Sequence, residues 1–321
     1  MSTSAGHRIS LIGLGTIGMS MAALHLSRDN TIVDVFDTRP DFEEYLLRTL
    51  PTFLIGPSSD PDSQPIEIAS LISTGRLNIH SSLDTACASA TIVQEQGPEN
   101  LEFKQTIWKK VEAIAPASTH FWTSTSGISA SAQHQLLHDK TRLLVVHPFN
   151  PPHIMPLLEI VPSPETAPER VEFAREYFSI PGCRHRPVVI QKEIPGFVGN
   201  RLAFALLREA CHLVQEDVVT AKDLDTILMA SLGPRWAGNG VFESYQQGGG
   251  GGGIRAFWDK LGGTMQEVWN GLGQVSVAEV KEKVVRQTDD AYGTSTSEET
   301  RREKEERLRE FLKVQTQRYS L

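Results

Sequence analysis

The chain has 321 residues, 40% hydrophobic and 22% charged, with a net charge of −8. That length exceeds one ordinary core and suits two domains. The acidic balance disfavours nucleic acid and anionic membranes as partners, and no run of about eighteen apolar residues is present to span a bilayer.

Met1 to Gly6 is short and polar, and it reads as too short for a targeting peptide. Residues 8–12 read as a buried strand. Gly13-Leu14-Gly15-Thr16-Ile17-Gly18 follows at once, then a helix-forming run from Met19 to Leu26 and a second strand from Ile32 to Phe36 that ends at Asp37. Strand, glycine turn, helix, strand is a βαβ unit. Residues 56–65 are rich in Pro, Ser and Asp and read as a loop. Apolar runs recur near 77–80, 90–93, 119–123 and 142–146, alternating with helical stretches such as Leu101 to Ile114. This alternation predicts a doubly wound parallel sheet of Rossmann type.

Pro-rich residues 148–168 break the pattern. A helix near 165–178 and a strand near 185–190 complete a first domain, residues 1–193. From Pro195 the strand signal disappears, and residues 194–321 read as an all-helical domain. It opens on a helix from Phe197 to Glu216, with a second from Ala221 to Leu232 capped by Thr220. Six glycines, Gly248 to Gly253, read as a loop between helices, and the charged tail from Ser297 to Gln317 as a terminal helix. Cys87, Cys183 and Cys211 are odd in number and far apart. They predict reduced thiols in a cytoplasmic setting, with neither a disulfide framework nor a metal site.

The glycine turn carries a cofactor prediction. Gly13 permits the tight turn, Gly15 lets the backbone approach a pyrophosphate, and Gly18 allows close helix–strand packing. Thr16 and Ile17 open the helix whose free N–H groups face the phosphates. Asp37 accepts hydrogen bonds from ribose hydroxyls and repels a 2′-phosphate, so NAD is expected rather than NADP, although Arg39 lies nearby. Oxidising an alcohol also needs a base, and histidine suits that task near neutral pH. His147 ends the run Leu143 to Val146, at the sheet edge where ligands of open α/β sheets bind. Glu159, twelve residues on in an apolar stretch, needs a partner, and His147 is a reasonable one.

The segments His147-Pro-Phe-Asn150-Pro-Pro with Glu159, and Pro195-Gly-Phe-Val-Gly-Asn200-Arg201, resemble the signature of the 3-hydroxyacyl-CoA dehydrogenase superfamily. Val93 to Leu101, Ser124-Thr-Ser126, Pro164 to Pro168, Gln191-Lys-Glu193 and Leu224-Asp225 extend the likeness, which is nearest to the lambda-crystallin branch. The resemblance implies that His147 is the general base and that Glu159 orients it. It implies that Ser126 and Asn200 hydrogen-bond substrate or cofactor near the reacting carbon. It places Glu99, Lys104 and Asn150 along the cofactor site. It also implies a homodimer through the helical domain.

No lysine precedes Lys104, and the stretch after the second strand is acidic (Asp41-Phe-Glu-Glu-Tyr45, Asp60, Asp62), with Arg39 and Arg48 as its cations. Coenzyme A carries several phosphates and needs cations. A free hydroxy acid such as gulonate is therefore favoured over a 3-hydroxybutyryl-CoA-like thioester, with Arg235 as a candidate anchor for its carboxylate. Carnitine-type and 3-hydroxybutyrate-type substrates stay open, because Ala237-Gly-Asn-Gly240-Val departs from the family pattern in this region. Two other functions would also use a glycine turn of this kind. A lysine-dependent β-hydroxyacid dehydrogenase is disfavoured because Phe197 to Glu216 contains no lysine. A non-catalytic NAD-binding structural protein is disfavoured because Ser126, His147, Glu159 and Asn200 are all present.

Overall fold

A computed structural model describes residues 6–54, 67–179, 185–295 and 297–319, the last four without their side chains. The loop 56–65 and Cys183 lie outside the described residues. The chain divides into two compact units, residues 1–201 and 202–321.

The first unit is an eight-stranded sheet flanked by helices. Its strands are β1 (His7–Ile12), β2 (Thr31–Phe36), β3 (Leu77–Ile79), β4 (Ile92–Glu95), β5 (His120–Thr123), β6 (Leu143–Pro148), β7 (Leu157–Pro162) and β8 (Arg186–Val189). Their spatial order is β3-β2-β1-β4-β5-β6-β7-β8. The helices between them are α1 (Thr16–Leu26), α2 (Phe42–Thr49), α3 (Pro51–Leu54), α4 (Ile68–Ser73), α5 (Leu83–Cys87), α6 (Leu101–Ile114), α7 (Ala130–Gln133) and α8 (Pro168–Ser179).

Both faces of the sheet are covered, which is why its strands read as nearly continuous apolar runs. Alternation decides which face each residue serves. On β6, Leu144 and Val146 join the cluster with Met19, Met21 and Phe178, while Leu143 and Val145 join the one with Trp108, Val111 and Phe121. Helix α1 is buried from Gly18 to Leu26, as its apolar circumference requires.

The sheet is mostly rather than wholly parallel. Strand β7 runs antiparallel to β6, inside the Pro-rich stretch expected to break the pattern. Pro151, Pro152 and Pro156 lie in the connection, and Leu157 to Pro162 is free to pair.

The second unit contains α9 (Gly199–Gln215, whose first residues belong to unit one), α10 (Ala221–Ala230), α11 (Leu232–Gly238), α12 (Val241–Gly248), α13 (Gly253–Asn270), α14 (Val277–Tyr292) and α15 (Glu298–Tyr319). No strand occurs among its described residues. Thr220 caps α10 as its position predicts, accepting the Asp223 N–H at 3.2 Å. The glycine run is shorter as a loop than expected: Gly248 closes α12 and Gly253 opens α13, leaving one 3₁₀ turn. A Cβ on Gly249 would lie 1.7 Å from the Gly253 carbonyl oxygen, so only glycine closes that turn. No described helix is long and apolar enough to cross a membrane.

Candidate active site

The parallel strands β1, β4, β5 and β6 end at one edge of the sheet, and the site is assembled from the segments that follow them. After β1, Gly13 turns the chain at φ +87°, a conformation that disfavours any side chain. A Cβ on Gly18 would lie 2.2 Å from the Gly13 carbonyl oxygen, so the first turn of α1 packs directly on the loop. Gly15 is different: a Cβ there would meet nothing within 4 Å. Gly15 is also the N-cap of α1 and has no side chain with which to cap it. The first-turn amides of α1 thus face an open flank, which suits a pyrophosphate.

After β2, Asp37 accepts the Leu14 N–H at 2.7 Å through Oδ2 and the Arg39 N–H at 2.9 Å through Oδ1. The Arg39 guanidinium lies 4.0 Å from the centroid of the Tyr45 ring, a cation–π contact. That placement occupies the cation that could have favoured NADP.

After β6 comes the centre of the site. His147 faces Glu159 directly across the antiparallel β6–β7 pair. The imidazole Nδ1 donates to Glu159 Oε2 at 2.8 Å, and both side chains are almost fully buried. A carboxylate partner on Nδ1 leaves Nε2 with its lone pair, the form a general base needs. The other Glu159 oxygen, Oε1, accepts the N–H groups of Val198 and Gly199, each at 2.9 Å. Burial alone would raise the Glu159 carboxyl. The His147 hydrogen bond and the two amides outweigh it and hold the group below its ordinary value.

The motif Pro195-Gly-Phe-Val-Gly-Asn200 therefore does more than begin a helix. Gly196 at φ +74° and Phe197 at φ +50° turn the backbone so that the two following amides meet Glu159. This is why the helix starts at Gly199, not at the expected Phe197. The Phe197 ring is buried, 5.4 Å from the His147 ring, and Phe149 stands at the same distance. A Cβ on Gly199 would lie 2.2 Å from the Phe149 ring. Phe149, Phe197, the Val198 amide and Gly199 were not singled out from sequence, although each lies inside a quoted motif.

Ser126 is exposed in the loop after β5, and the Asn200 side-chain amide donates to the Ser126 carbonyl at 3.0 Å. The structure thus brings these two predicted residues together. The segment after His147 is anchored to the cofactor helix: the Ser20 hydroxyl lies 2.9 Å from His153 Nδ1 and accepts the His153 N–H at 2.8 Å. Asn150 is exposed. Lys104, expected along the cofactor site, is not open to a ligand. It is 1% exposed, with Nζ 3.0 and 2.9 Å from the two oxygens of buried Glu95. Arg235 sits on α11 in the helical unit and lines a cavity there with Trp236, Tyr245 and Phe257.

Comparison with known proteins decides the family. Residues 8–194 match the NAD binding domain of 3-hydroxyacyl-CoA dehydrogenase, and residues 196–286 match its C-terminal domain. The chain belongs to the 3-hydroxyacyl-CoA dehydrogenase family. It is 33% identical to L-carnitine dehydrogenase of Streptomyces griseus, over 83% of this chain and 76% of that protein. It is 36% identical to a 3-hydroxyacyl-CoA dehydrogenase of Gibberella moniliformis, over 76% of this chain and 73% of that one. Among solved structures it resembles a 5-formyl-3-hydroxy-2-methylpyridine 4-carboxylic acid 5-dehydrogenase, described as an NAD+-dependent dismutase. The TM-score is 0.71 at 26% identity, covering 97% of both chains. These relatives do not place the chain in the lambda-crystallin branch, and their names point to substrates other than gulonate. The protein is an NAD-dependent dehydrogenase acting on a CH–OH group, and the non-catalytic reading falls away.

Proposed function

We propose that this enzyme oxidises the 3-hydroxyl of a small free hydroxy acid to the 3-keto acid, with an L-carnitine-like substrate in place of the gulonate favoured by sequence. The observation that carries the reading is the buried His147–Glu159 pair at the carboxyl edge of the sheet. His147 Nε2 takes the hydroxyl proton. Glu159 holds the ring through Nδ1 and stabilises the imidazolium that forms. Ser126 and Asn200 orient the reacting end of the substrate. NAD, when bound, accepts the hydride. Gly13, Gly15, Thr16, Ile17 and Gly18 would hold its pyrophosphate, Asp37 its adenosine ribose, and Asn150 would line the cofactor site. Arg235, which lines a cavity within the helical unit, is the proposed anchor for a carboxylate.

Two observations support a free acid over a thioester of coenzyme A. Carnitine dehydrogenases are frequent among the relatives. Of the two cations in the stretch 37–65, Arg39 is engaged by Tyr45 and Arg48 lies 3.8 Å from Glu44. We also place the enzyme in the cytosol, in keeping with the free thiols of Cys87 and Cys211.

We further propose a homodimer through the helical unit. Leu202, Phe204 and Leu207 on α9 are more than half exposed, as are Trp258 and Trp269 on α13. Large apolar side chains exposed along these two helices are what a subunit contact would cover. Light scattering on the purified protein tests this, and a monomer at micromolar concentration would overturn it.

Production of NADH from NAD with L-carnitine, L-gulonate and 3-hydroxybutyryl-CoA tests the substrate reading. We expect turnover of carnitine or a close free acid. Turnover of the CoA ester alone would keep His147 as base and overturn the free-acid assignment.

A further inference from the structure

The carboxylate of Glu99 gathers three donors. Its Oε1 accepts the Thr125 hydroxyl at 2.5 Å and the N–H groups of Ser126 and Gly127, each at 3.1 Å. The Ser126 peptide is thus held at its N–H by Glu99 and at its C=O by Asn200. Glu99 is itself held from below. Lys104 Nζ lies 3.8 Å from Glu99 Oε2 while paired with Glu95. Glu95 also accepts the Thr123 hydroxyl at 2.9 Å and the Gly97 N–H at 2.6 Å, which joins the end of β5 to the loop that carries Glu99. Asn100 then caps α6 by accepting the Phe103 N–H at 2.9 Å, so Glu99 sits at a helix N-terminus that favours its charge.

From this arrangement we infer that Glu99 is a positioning residue: it clamps the 125–127 loop and sets the place of Ser126, with the buried Glu95–Lys104 pair as its anchor. The inference rests on the proposed role of Ser126 in holding substrate. It departs from the family-derived expectation that Glu99 and Lys104 line the cofactor. The physical reason is pre-organisation. An exposed serine on an unrestrained loop would have to be ordered each time substrate binds. Two charge-assisted amide contacts and a hydroxyl contact do that in advance. Displacing such a group by an ångström costs about a hundredfold in rate.

The test uses full-length Glu99→Ala, Glu99→Gln, Ser126→Ala and the Glu99→Ala/Ser126→Ala double variant. Three readouts are taken: amide hydrogen exchange at Ser126 and Gly127, the NADH dissociation constant, and kcat/KM with the hydroxy acid that the wild type turns over. We expect Glu99→Ala to speed exchange at those two amides at least tenfold and to lower kcat/KM at least tenfold, with NADH affinity changed less than twofold. Glu99→Gln, whose amide oxygen can still accept both N–H groups, recovers most of the protection and rate. The double variant is no slower than Ser126→Ala, because the clamp acts only through that residue. Weakened NADH binding with unchanged exchange would make Glu99 a cofactor contact and overturn the inference. So would losses that multiply in the double variant. Full activity in Ser126→Ala would instead overturn the role of Ser126, and the clamp with it, whatever the exchange data show.

Discussion

Glu159 stands opposite His147 in the β6–β7 register, and its two oxygens do different work: Oε2 accepts the imidazole Nδ1–H, and Oε1 accepts the Val198 and Gly199 amides. One carboxylate therefore sets the tautomer of the His147 imidazole and ties it to the backbone that begins α9. Replacing His147 by Gln removes the proposed base and keeps the hydrogen-bonding shape. Turnover is expected to fall at least about a hundredfold with NADH binding intact. Glu159→Gln should also reduce kcat strongly, because a neutral amide stabilises the imidazolium poorly. Near-normal turnover in His147→Gln, read from NADH production, would sink the assignment.

Gly199 has no room for a methyl group beside Phe149. Gly199→Ala should destabilise the first unit by about 1–3 kcal/mol through overpacking. It should also lower kcat, since the shifted amide no longer meets Glu159. Adding Phe149→Leu makes space and should recover part of the stability. Denaturant midpoints of the single and double variants check this, and equal midpoints would refute the clash.

Asp37 is the residue we propose to set the choice of nucleotide. Asp37→Ser removes the charge that repels a 2′-phosphate, and Arg39 stands two residues away on Tyr45. Lost hydrogen bonds to a charged group are worth about 1.5–3 kcal/mol, so KM for NAD should rise about tenfold or more. Activity with NADP should rise at the same time. An unchanged KM for NAD would show that Asp37 does not hold the ribose.

Lys104 and Glu95 are buried as a pair. Lys104→Met leaves Glu95 charged and unpaired, and breaking such a pair costs about 3–5 kcal/mol. Combining it with Glu95→Gln should restore much of the loss, because no bare charge remains. Equilibrium denaturation of both variants decides the matter, and a mild effect of Lys104→Met alone would contradict the buried pair.

Stability should fall in acid. Burial pushes His25 and His120 down to about 3 and His185 down to about 4, from an ordinary value of 6.5. Nearby cations add to this, Arg28 for His25 and His185, and Arg170 and Arg142 for His120. The unfolded chain then binds more protons than the native one between those values. Stability is fully present above about pH 6.5 and is lost as pH falls towards 4 and then 3. His120 stacks on Phe173 with a ring-centroid distance of 3.8 Å, and its Nδ1 is buried without a hydrogen-bond partner. His120→Phe should therefore make the acid slope shallower. An unchanged slope in the pH series of denaturation midpoints would place the effect elsewhere.

The sequence by itself determined the glycine turn, Asp37 at the end of β2, the alternating strand–helix order and the change to helices after Pro195. These are local properties. A positive φ, an N-cap and the period of an apolar run are decided within a few residues, so they are legible in order along the chain. His147 and Glu159 could be named as a pair because a buried carboxylate needs a partner, but spacing alone could not bring them together.

Only the tertiary structure decided that β7 turns back antiparallel to β6, which puts Glu159 opposite His147. It also decided that the Gly196–Phe197 turn delivers two amides to Glu159. Lys104, placed along the cofactor site by resemblance, is the buried partner of Glu95. Each depends on strand order and on packing between segments far apart in sequence, where a side chain's role is set by its neighbours in space.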